Sequence, residues 1–113
     1  MATFNDLIRS GKVKAAYLKR EAILKELNRK VLNIDELDKE TPNVRTFSRL
    51  ETNANKSLDE LKLINSELDI LLANENHDIS NDESYIADQK QLRKQEFLLF
   101  NAIENYIEVK LLK

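Results

Sequence analysis

The sequence predicts an all-α protein whose long amphipathic helices pack as an antiparallel three-helix bundle. Glycine and proline, which punctuate chains and end regular elements, occur once each in 113 residues, so a few long elements are expected. Apolar residues recur in alternating steps of three and four, which is the spacing of a coiled-coil seam. At this length the chain forms one domain, and the short connections predict helices that run antiparallel to their neighbours.

A short segment, residues 3–10, precedes the first long helix and does not share its apolar face. The apolar residues of this segment are Phe4, Leu7 and Ile8. At about 100° per residue they point away from the apolar stripe that follows, so either the chain breaks at Ser10-Gly11 or this short apolar face meets something else. The segment is interpreted as a short helix folded back on the end of the bundle. The alternative is a docking or membrane-contact segment.

The first two long helices are predicted over about residues 12–38 and 42–73. Thr41 is a suitable N-cap for the second, and Pro42 suits the first helical position because its missing N–H has no partner there. The stripe of the first helix is Val13, Tyr17, Arg20, Leu24, Leu27, Val31 and Ile34. That of the second is Val44, Phe47, Glu51, Ala54, Leu58, Leu61, Asn65, Leu68 and Leu72.

The third long helix is predicted over about residues 81–111. Ser80 and Glu83 have the spacing of a capping box, so the helix is expected to begin just after Ser80. Its stripe is Tyr85, Gln89, Leu92, Glu96, Leu99, Ile103 and Tyr106, flanked by Phe100 and Ile107.

Four polar residues interrupt these apolar stripes: Arg20, Asn65, Gln89 and Glu96. A buried charge is costly unless it is paired and hydrogen-bonded. The first and third helices run parallel in the predicted bundle, which brings Arg20 towards Gln89 and Glu96. The sequence therefore predicts an Arg20–Glu96 or Arg20–Gln89 contact that sets the helix register. The alternative is a polar cavity that binds a ligand.

Charge is distributed unevenly along the chain. Residues 1–33 carry eight Lys or Arg and three Asp or Glu, whereas residues 34–83 carry five and thirteen. This asymmetry is explained by helices of complementary charge lying side by side. The alternative is contact with RNA or an anionic membrane. The basic residues that would make that contact are Lys12, Lys14, Lys19, Lys25, Arg29 and Lys30.

The residue types that common catalytic and metal sites require are missing. The chain has no Cys, and its one histidine, His77, lies in a polar loop, so the usual nucleophile, acid–base and metal-ligand sets cannot be assembled. We therefore expect no enzyme activity, no cofactor, no metal and no small-molecule substrate. For the architecture, the alternative to the three-helix bundle is a two-helix hairpin with the third helix docked elsewhere or in another subunit. No apolar run approaches a membrane span or a signal peptide, and an intracellular, cytoplasmic protein is expected.

Three stretches carry a family resemblance: Leu18-Lys19-Arg20-Glu21-Ala22-Ile23, then Thr41-Pro42-Asn43-Val44-Arg45, then Leu50-Glu51 through Leu58-Asp59-Glu60-Leu61 to Leu68. A polar loop and a helix with spaced aromatics follow: Tyr85, Phe97, Phe100 and Tyr106. Over about residues 13–110 this pattern resembles a helical domain of unknown function near the N-terminus of Gag polyproteins of insect BEL/Pao-type LTR retrotransposons. The resemblance implies a self-associating role in particle assembly, in a matrix-like position or in a host gene derived from such an element, and no catalytic residues.

The sequence thus favours a non-enzymatic structural module that acts by protein–protein self-association. Apolar residues off the stripes are its candidate contacts: Leu18, Leu32, Phe97 and Leu98, with Phe4, Leu7 and Ile8 of the N-terminal segment. Isolated apolar residues are also normal on protein surfaces. The alternatives are an RNA- or anionic-membrane-binding module that uses the basic first helix, and an adaptor that binds a partner helix in its groove.

Overall fold

The computed structural model describes residues 3–37 and 43–108, and all regular structure in these ranges is helical. The α-helices are α1 (Phe4–Leu7), α2 (Gly11–Asp35), α3 (Val44–Asn74) and α4 (Glu83–Tyr106), and a 3₁₀ turn (Ile79–Asn81) precedes α4. The all-α prediction is therefore confirmed for the described part of the chain.

The chain breaks between α1 and α2 at the predicted place. Thr3 caps α1 with a capping box, in which its side chain accepts from the backbone N–H of Asp6 and the Asp6 carboxylate accepts from the backbone N–H of Thr3. Gly11, the first residue of α2, has a φ of 64°. This left-handed conformation costs glycine little and other residues about 1 kcal/mol or more. The single glycine thus allows the chain to turn from α1 into α2.

Helix α3 begins two residues later than predicted. Its N-cap is Asn43, whose side-chain oxygen accepts from the backbone N–H of Thr46 at 3.0 Å. The predicted cap, Thr41-Pro42, lies outside the described residues. Val44, which the apolar pattern assigned to the core, is exposed because it occupies the first position of the helix.

The predicted capping box of Ser80 and Glu83 is wrong, and the N-cap of α4 is Asp82. The Asp82 side chain accepts from the backbone N–H groups of Ser84 at 3.0 Å and Tyr85 at 3.3 Å, so that α4 begins at Glu83. Ser80 instead belongs to the 3₁₀ turn. The helix ends at Tyr106, and the last residues of the predicted range, 109–111, lie outside the described part of the chain.

The contacts between helices show their relative directions. Between α2 and α3, Arg20 contacts Asn65 and Lys30 contacts Ser57, so residue numbers fall along one helix as they rise along the other. Tyr85 and Glu96 of α4 contact Asp69 and Lys62 of α3 in the same opposed order. The molecule is elongated, with extents of 55 × 22 × 16 Å.

The apolar core consists of two clusters at different heights along these helices. The upper cluster is Leu27, Val31, Ile34, Phe47, Ala54, Leu58, Leu61, Leu99, Ala102, Ile103 and Tyr106. The lower cluster is Phe4, Val13, Ala16, Ile64, Leu68 and Leu72. The partly buried Ile23 packs against both. Arg20, which is fully buried, lies between the last lower-cluster and first upper-cluster residues of α2.

Phe4 fills the end of the lower cluster. Its side chain is 1% exposed and makes edge-to-face contacts with Tyr17 and Tyr85, with ring centroids 6.2 and 5.6 Å apart. Leu7 and Ile8 pack beside it and are half-buried. The folded-back helix is therefore the correct interpretation of this segment. Phe4 is not available to an external contact because the lower cluster buries it, whereas Leu7 and Ile8 are only partly covered.

The other end of the molecule is closed by an aromatic pair. Phe47, near the start of α3, stacks on Tyr106, at the end of α4, with centroids 4.5 Å apart and ring planes 14° apart. The Tyr106 hydroxyl accepts a hydrogen bond from the backbone N–H of Asn43 at 3.2 Å. This pair joins the cap of α3 to the upper cluster.

Candidate functional site

A buried arginine crosslinks the three long helices. Arg20 on α2 donates through Nη1 to Asp88 Oδ2 at 2.8 Å and through Nη2 to Asp88 Oδ1 at 2.5 Å, which is a bidentate pair with α4. Nη1 also donates to Asn65 Oδ1 on α3 at 3.0 Å. The guanidinium therefore binds both of the other long helices.

Amide groups extend this network. Asn65 and Gln89 exchange two hydrogen bonds, of 3.0 and 3.2 Å, between α3 and α4. Gln89 also donates to Asp88 Oδ2 at 3.1 Å, and Glu21 accepts from Arg20 at 3.3 Å. The three long helices thus bring five polar side chains together at a level where apolar side chains would otherwise pack. They are Arg20, Glu21, Asn65, Asp88 and Gln89.

The network keeps Arg20 charged. Burial by itself lowers the pKa of Arg20, but the hydrogen bonds and charge of Asp88, with those of Glu21, outweigh it and raise the pKa above its ordinary value. The guanidinium carbon also lies 5.0 Å from the centroid of the Tyr17 ring, a cation–π contact. Among the described residues, Arg20 Nε is buried without a hydrogen-bond partner.

The structure assembles three of the four predicted seam residues in this network and excludes the fourth. Arg20 contacts Asn65 directly, and Gln89 joins through Asn65 and Asp88. Glu96 does not contact Arg20; it lies two turns away and pairs with Lys62 at 3.1 Å, with a third of its side chain exposed. The predicted Arg20–Glu96 contact is therefore wrong, and the predicted Arg20–Gln89 contact is not direct, because Gln89 bonds Asn65 and Asp88 instead.

Sequence reasoning missed Asp88, the principal partner of Arg20. The predicted stripe of α4 passed through Gln89 and left Asp88 outside it, one residue away. The signal was present, because Asp88 lies three residues after Tyr85 and four before Leu92, both of which belong to that stripe. A stripe read through 85, 88 and 92 places the carboxylate opposite the arginine.

A second polar cluster attaches α1 to the start of α4. Asp82 Oδ2 accepts from the backbone N–H of Phe4 at 2.6 Å and contacts His77 Nε2 at 2.5 Å. Its Oδ1 caps α4 through Ser84 and Tyr85. Burial alone raises the pKa of Asp82, but these hydrogen bonds outweigh it and hold the pKa well below its ordinary value. One carboxylate thus fixes the N-terminal helix, the loop and the helix cap.

An open surface groove of about 860 Å³ lies beside this cluster. It is lined by residues of α1, the loop and the start of α4: Thr3, Asn5, Leu7, Glu75, Asn76, His77, Asp78, Asn81, Asp82, Glu83 and Ser84. His77 and Asp82 contact each other. The Asp78 carboxylate accepts from Ser80 and Asn81, and the Asp82 carboxylate also accepts from the Ser84 hydroxyl. These hydrogen bonds attach α1 and the loop to the start of α4.

Large apolar side chains are exposed on α4 and on the adjacent edge of α2. Phe97 is 63% exposed, Leu98 42% and Phe100 50%, and all three lie within four consecutive residues of α4. Leu32 on α2 is 56% exposed and lines a groove of about 320 Å³ between the two helices, together with Val31 and Leu98. Of the predicted contact residues, Leu32 and Leu98 therefore lie near one another, whereas Phe97 lies on a different side of α4, together with Phe100.

Other exposed apolar side chains are dispersed. Leu18 lies on the outer face of α2, at the opposite end from Leu32, and Leu63 and Ile70 lie on the outer face of α3. Single apolar residues of this kind are common on protein surfaces. Leu18 joins neither the groove of Leu32 and Leu98 nor the pair of Phe97 and Phe100.

The basic residues of α2 form no single groove. Lys12, Lys14, Lys19 and Lys25 are exposed, and at helical spacing they lie on two separate sides of α2. Arg29 pairs with Glu26 on the same helix. Lys30 is half-buried and donates to Ser57 of α3 at 2.6 Å, so it serves helix packing.

Comparison with protein-family models, curated proteins and solved structures finds no match for this chain. Across residues 3–37 and 43–108, no helix is long and apolar enough to cross a membrane. The same ranges contain no group of three or more His, Asp or Glu side chains placed to hold a metal ion.

Proposed function

We propose that the chain is a non-enzymatic structural module that assembles by protein–protein self-association. The observation that carries this proposal is the pair of aromatic side chains Phe97 and Phe100 on one side of α4, which are 63% and 50% exposed. Exposed apolar side chains that cluster on one face are typical of protein–protein contact surfaces.

The framework for this assembly is an antiparallel three-helix bundle of α2, α3 and α4. The opposed order of the Arg20–Asn65 and Tyr85–Asp69 contacts supports this arrangement. The Arg20 network sets the register of the three helices, because sliding any one of them separates a buried charge from its partner. A rigid support of this kind holds the exposed apolar side chains in fixed positions.

The biological setting that we propose is particle assembly, in a matrix-like position of a Gag polyprotein or in a host gene derived from one, inside the cell. The resemblance of the sequence to the N-terminal helical domain of BEL/Pao-type Gag polyproteins supports this setting. The described residues offer surfaces for contact and a polar network devoted to helix packing, which agrees with a structural role.

The test is sedimentation equilibrium of the whole chain over a wide range of concentrations. The weight-average mass is expected to rise above the monomer mass of 13.2 kDa as concentration increases. The variant Phe97→Ser/Phe100→Ser is expected to remain monomeric, because it removes the aromatic contacts and leaves the buried core unchanged. A wild-type chain that remains monomeric at its highest soluble concentration would overturn the proposal.

The matched control is Leu63→Ser. Leu63 is 65% exposed, slightly more than Phe97, but lies on the outer face of α3. This variant is expected to associate as the wild type does. Equal loss of association in the control would show that general surface hydrophobicity, and not the α4 surface, drives the assembly.

A second candidate function is binding of an anionic surface, favoured by the exposed Lys12, Lys14, Lys19 and Lys25 of α2. Its test compares binding of a single-stranded RNA and of phosphatidylserine vesicles at rising salt. Binding that weakens steeply with salt would support it, because such contacts release counterions. Salt-independent binding, or none at low salt, would exclude it.

A further inference from the structure

Helix α4 carries a second stripe on the side that faces away from the core. Its members follow one another in steps of seven, four, three and four residues: Ile86, Arg93, Phe97, Phe100 and Glu104. All five side chains are exposed. The core stripe of the same helix contains Leu99, Ile103 and Tyr106, which are buried. We call the exposed set the outer seam.

Steps of three and four are the spacing by which one helix packs along another. Phe97 and Phe100 of the outer seam extend the apolar face of the second half of α4 beyond the part that the core covers. An apolar helix face is normally buried against a neighbouring element. In the described structure the core covers the Leu99, Ile103 and Tyr106 side of α4 and leaves the outer seam exposed. No helix within the described residues packs along the outer seam.

We propose that the outer seam packs against the outer seam of a second copy of this chain, with the two α4 helices antiparallel about a twofold axis; this inference rests on the proposed self-association. In a twofold interface, if residue i of one copy contacts residue j of the other, then residue j of the first copy also contacts residue i of the second. With the axis between Phe97 and Phe100, each Phe97 lies opposite the Phe100 of the other copy. The aromatic rings form the centre of the contact.

The charges of the seam match this arrangement. The same register that pairs Phe97 with Phe100 pairs Arg93 with Glu104 of the other copy, because both pairs are symmetric about the same point. One turn farther out, Lys90 lies near Glu108 of the other copy. Each contact occurs twice, so the dimer gains opposite-charge pairs on both sides of its aromatic centre.

The parallel arrangement is disfavoured by the same residues. Two parallel outer seams in register would place Arg93 against Arg93 and Glu104 against Glu104. Like charges held together at an interface cost free energy and suppress that arrangement. The basic first half and acidic second half of the outer seam therefore select an antiparallel second copy as the occupant.

The test uses two charge reversals, Arg93→Glu and Glu104→Arg. Alone, each variant puts two like-charge pairs into its own homodimer, and we expect its dissociation constant to rise about tenfold or more. Mixed in equal amounts, the two variants regain opposite charges at both contacts and are expected to form a heterodimer close to wild type in affinity. The double variant Arg93→Glu/Glu104→Arg is likewise expected to dimerise. Sedimentation equilibrium measures all four samples.

The matched control is Arg49→Glu, an equal charge reversal at an exposed position of α3. It is expected to leave association unchanged. If the wild type dimerises but neither the mixture nor the double variant recovers association, the antiparallel α4 interface is wrong and self-association stands. If the wild type is monomeric, both proposals fail. Circular dichroism of each variant checks that it is folded, and the double variant decides the matter if a single reversal is unstable.

Discussion

Arg20 shows how the energetics of a buried charge depend on one partner. The guanidinium is fully buried, and the Asp88 side chain that binds it through both oxygens is 16% exposed. Removing one partner of such a pair leaves the other uncompensated, whereas replacing both with apolar groups is often neutral or stabilising. The pair is therefore expected to matter more for arrangement than for net stability.

We predict that Arg20→Met destabilises the protein by about 3 kcal/mol, because Asp88 remains largely buried without its partner. The double variant Arg20→Met/Asp88→Leu is expected to recover most of this loss. Urea unfolding of both variants gives the comparison. A double variant that is no more stable than Arg20→Met would show that the pair contributes net stability.

Asp82 makes the stability of the fold depend on pH. Hydrogen bonds from Ser84, His77 and the backbone N–H of Phe4 outweigh the effect of burial, so the pKa of Asp82 in the folded chain lies well below its value in the unfolded chain. In acid, the Asp82 carboxylate therefore binds a proton more readily in the unfolded chain than in the folded chain. The stabilisation is present at pH values above the unfolded pKa of about 3.9 and is lost as pH falls below it.

We predict that wild type loses stability between about pH 7 and pH 2.5, and that Asp82→Asn loses less over the same interval because residue 82 no longer titrates. Urea midpoints at the two pH values measure the difference. Other carboxylates contribute equally to both proteins, so they cancel in this comparison. Identical losses in the two proteins would contradict the assignment of this effect to Asp82.

At the scale of the elements, α1 is attached by one aromatic side chain and one carboxylate. Phe4 is buried against Tyr17 and Tyr85, and its backbone N–H donates to Asp82. Four residues cannot form a stable helix alone, because helix nucleation is unfavourable. The order of α1 therefore depends on this docking.

We predict that Phe4→Ala costs about 3 kcal/mol, through loss of the buried ring and the cavity that it leaves. Hydrogen exchange is expected to increase in α1 and at the start of α4. The control is Asn5→Ala, an exposed position in the same helix. Equal effects of the two substitutions on unfolding and exchange would contradict this role for Phe4.

The sequence predicted the helices but not how each one is capped. The periodicity of apolar residues identified all three long helices because it extends over many turns. Caps depend on a single side chain, and the loop before α4 offers Asp78, Ser80 and Asp82 in close succession. Asp82 is the cap because it also binds Phe4 and His77, which are contacts between distant segments. No local pattern contains those contacts.

The same limit applies to the Arg20 network. Spacing placed Arg20, Asn65 and Gln89 in the seams, and the structure joins them. The choice of Asp88 over Glu96 depends on the axial alignment of α2 and α4, which is set by loops and packing. An error of two turns in that alignment exchanges one carboxylate for the other. Helical faces can thus be derived from the sequence, whereas axial positions require the three-dimensional contacts.

At the scale of the whole molecule, the polar network divides the core into an upper and a lower cluster. Ile34 belongs to the upper cluster and Ile64 to the lower, and both are buried. We predict that Ile34→Val and Ile64→Val each cost about 1 kcal/mol and that the double variant costs the sum within about 0.5 kcal/mol. Urea unfolding of the two single variants and the double variant tests this.

A double-mutant cycle with larger coupling would show that strain passes through the polar layer. The comparison pair is Ile34→Val with Ile103→Val, which lie in the same cluster. Sites that share packing partners depart from additivity more often than separated sites. We therefore expect coupling in this pair to exceed that between Ile34 and Ile64.

The position of Asp88 on the last long helix bears on the order in which the chain folds. If α2 and α3 pair before α4 docks, Arg20 has only the amide of Asn65 and the neighbouring Glu21 as partners, and its complete burial would leave much of its charge uncompensated. We therefore expect water to remain around the guanidinium until the Asp88 carboxylate of α4 is in place. Final expulsion of this water and docking of α4 then become one event. The middle of the molecule is expected to close last, after contacts have formed at both ends.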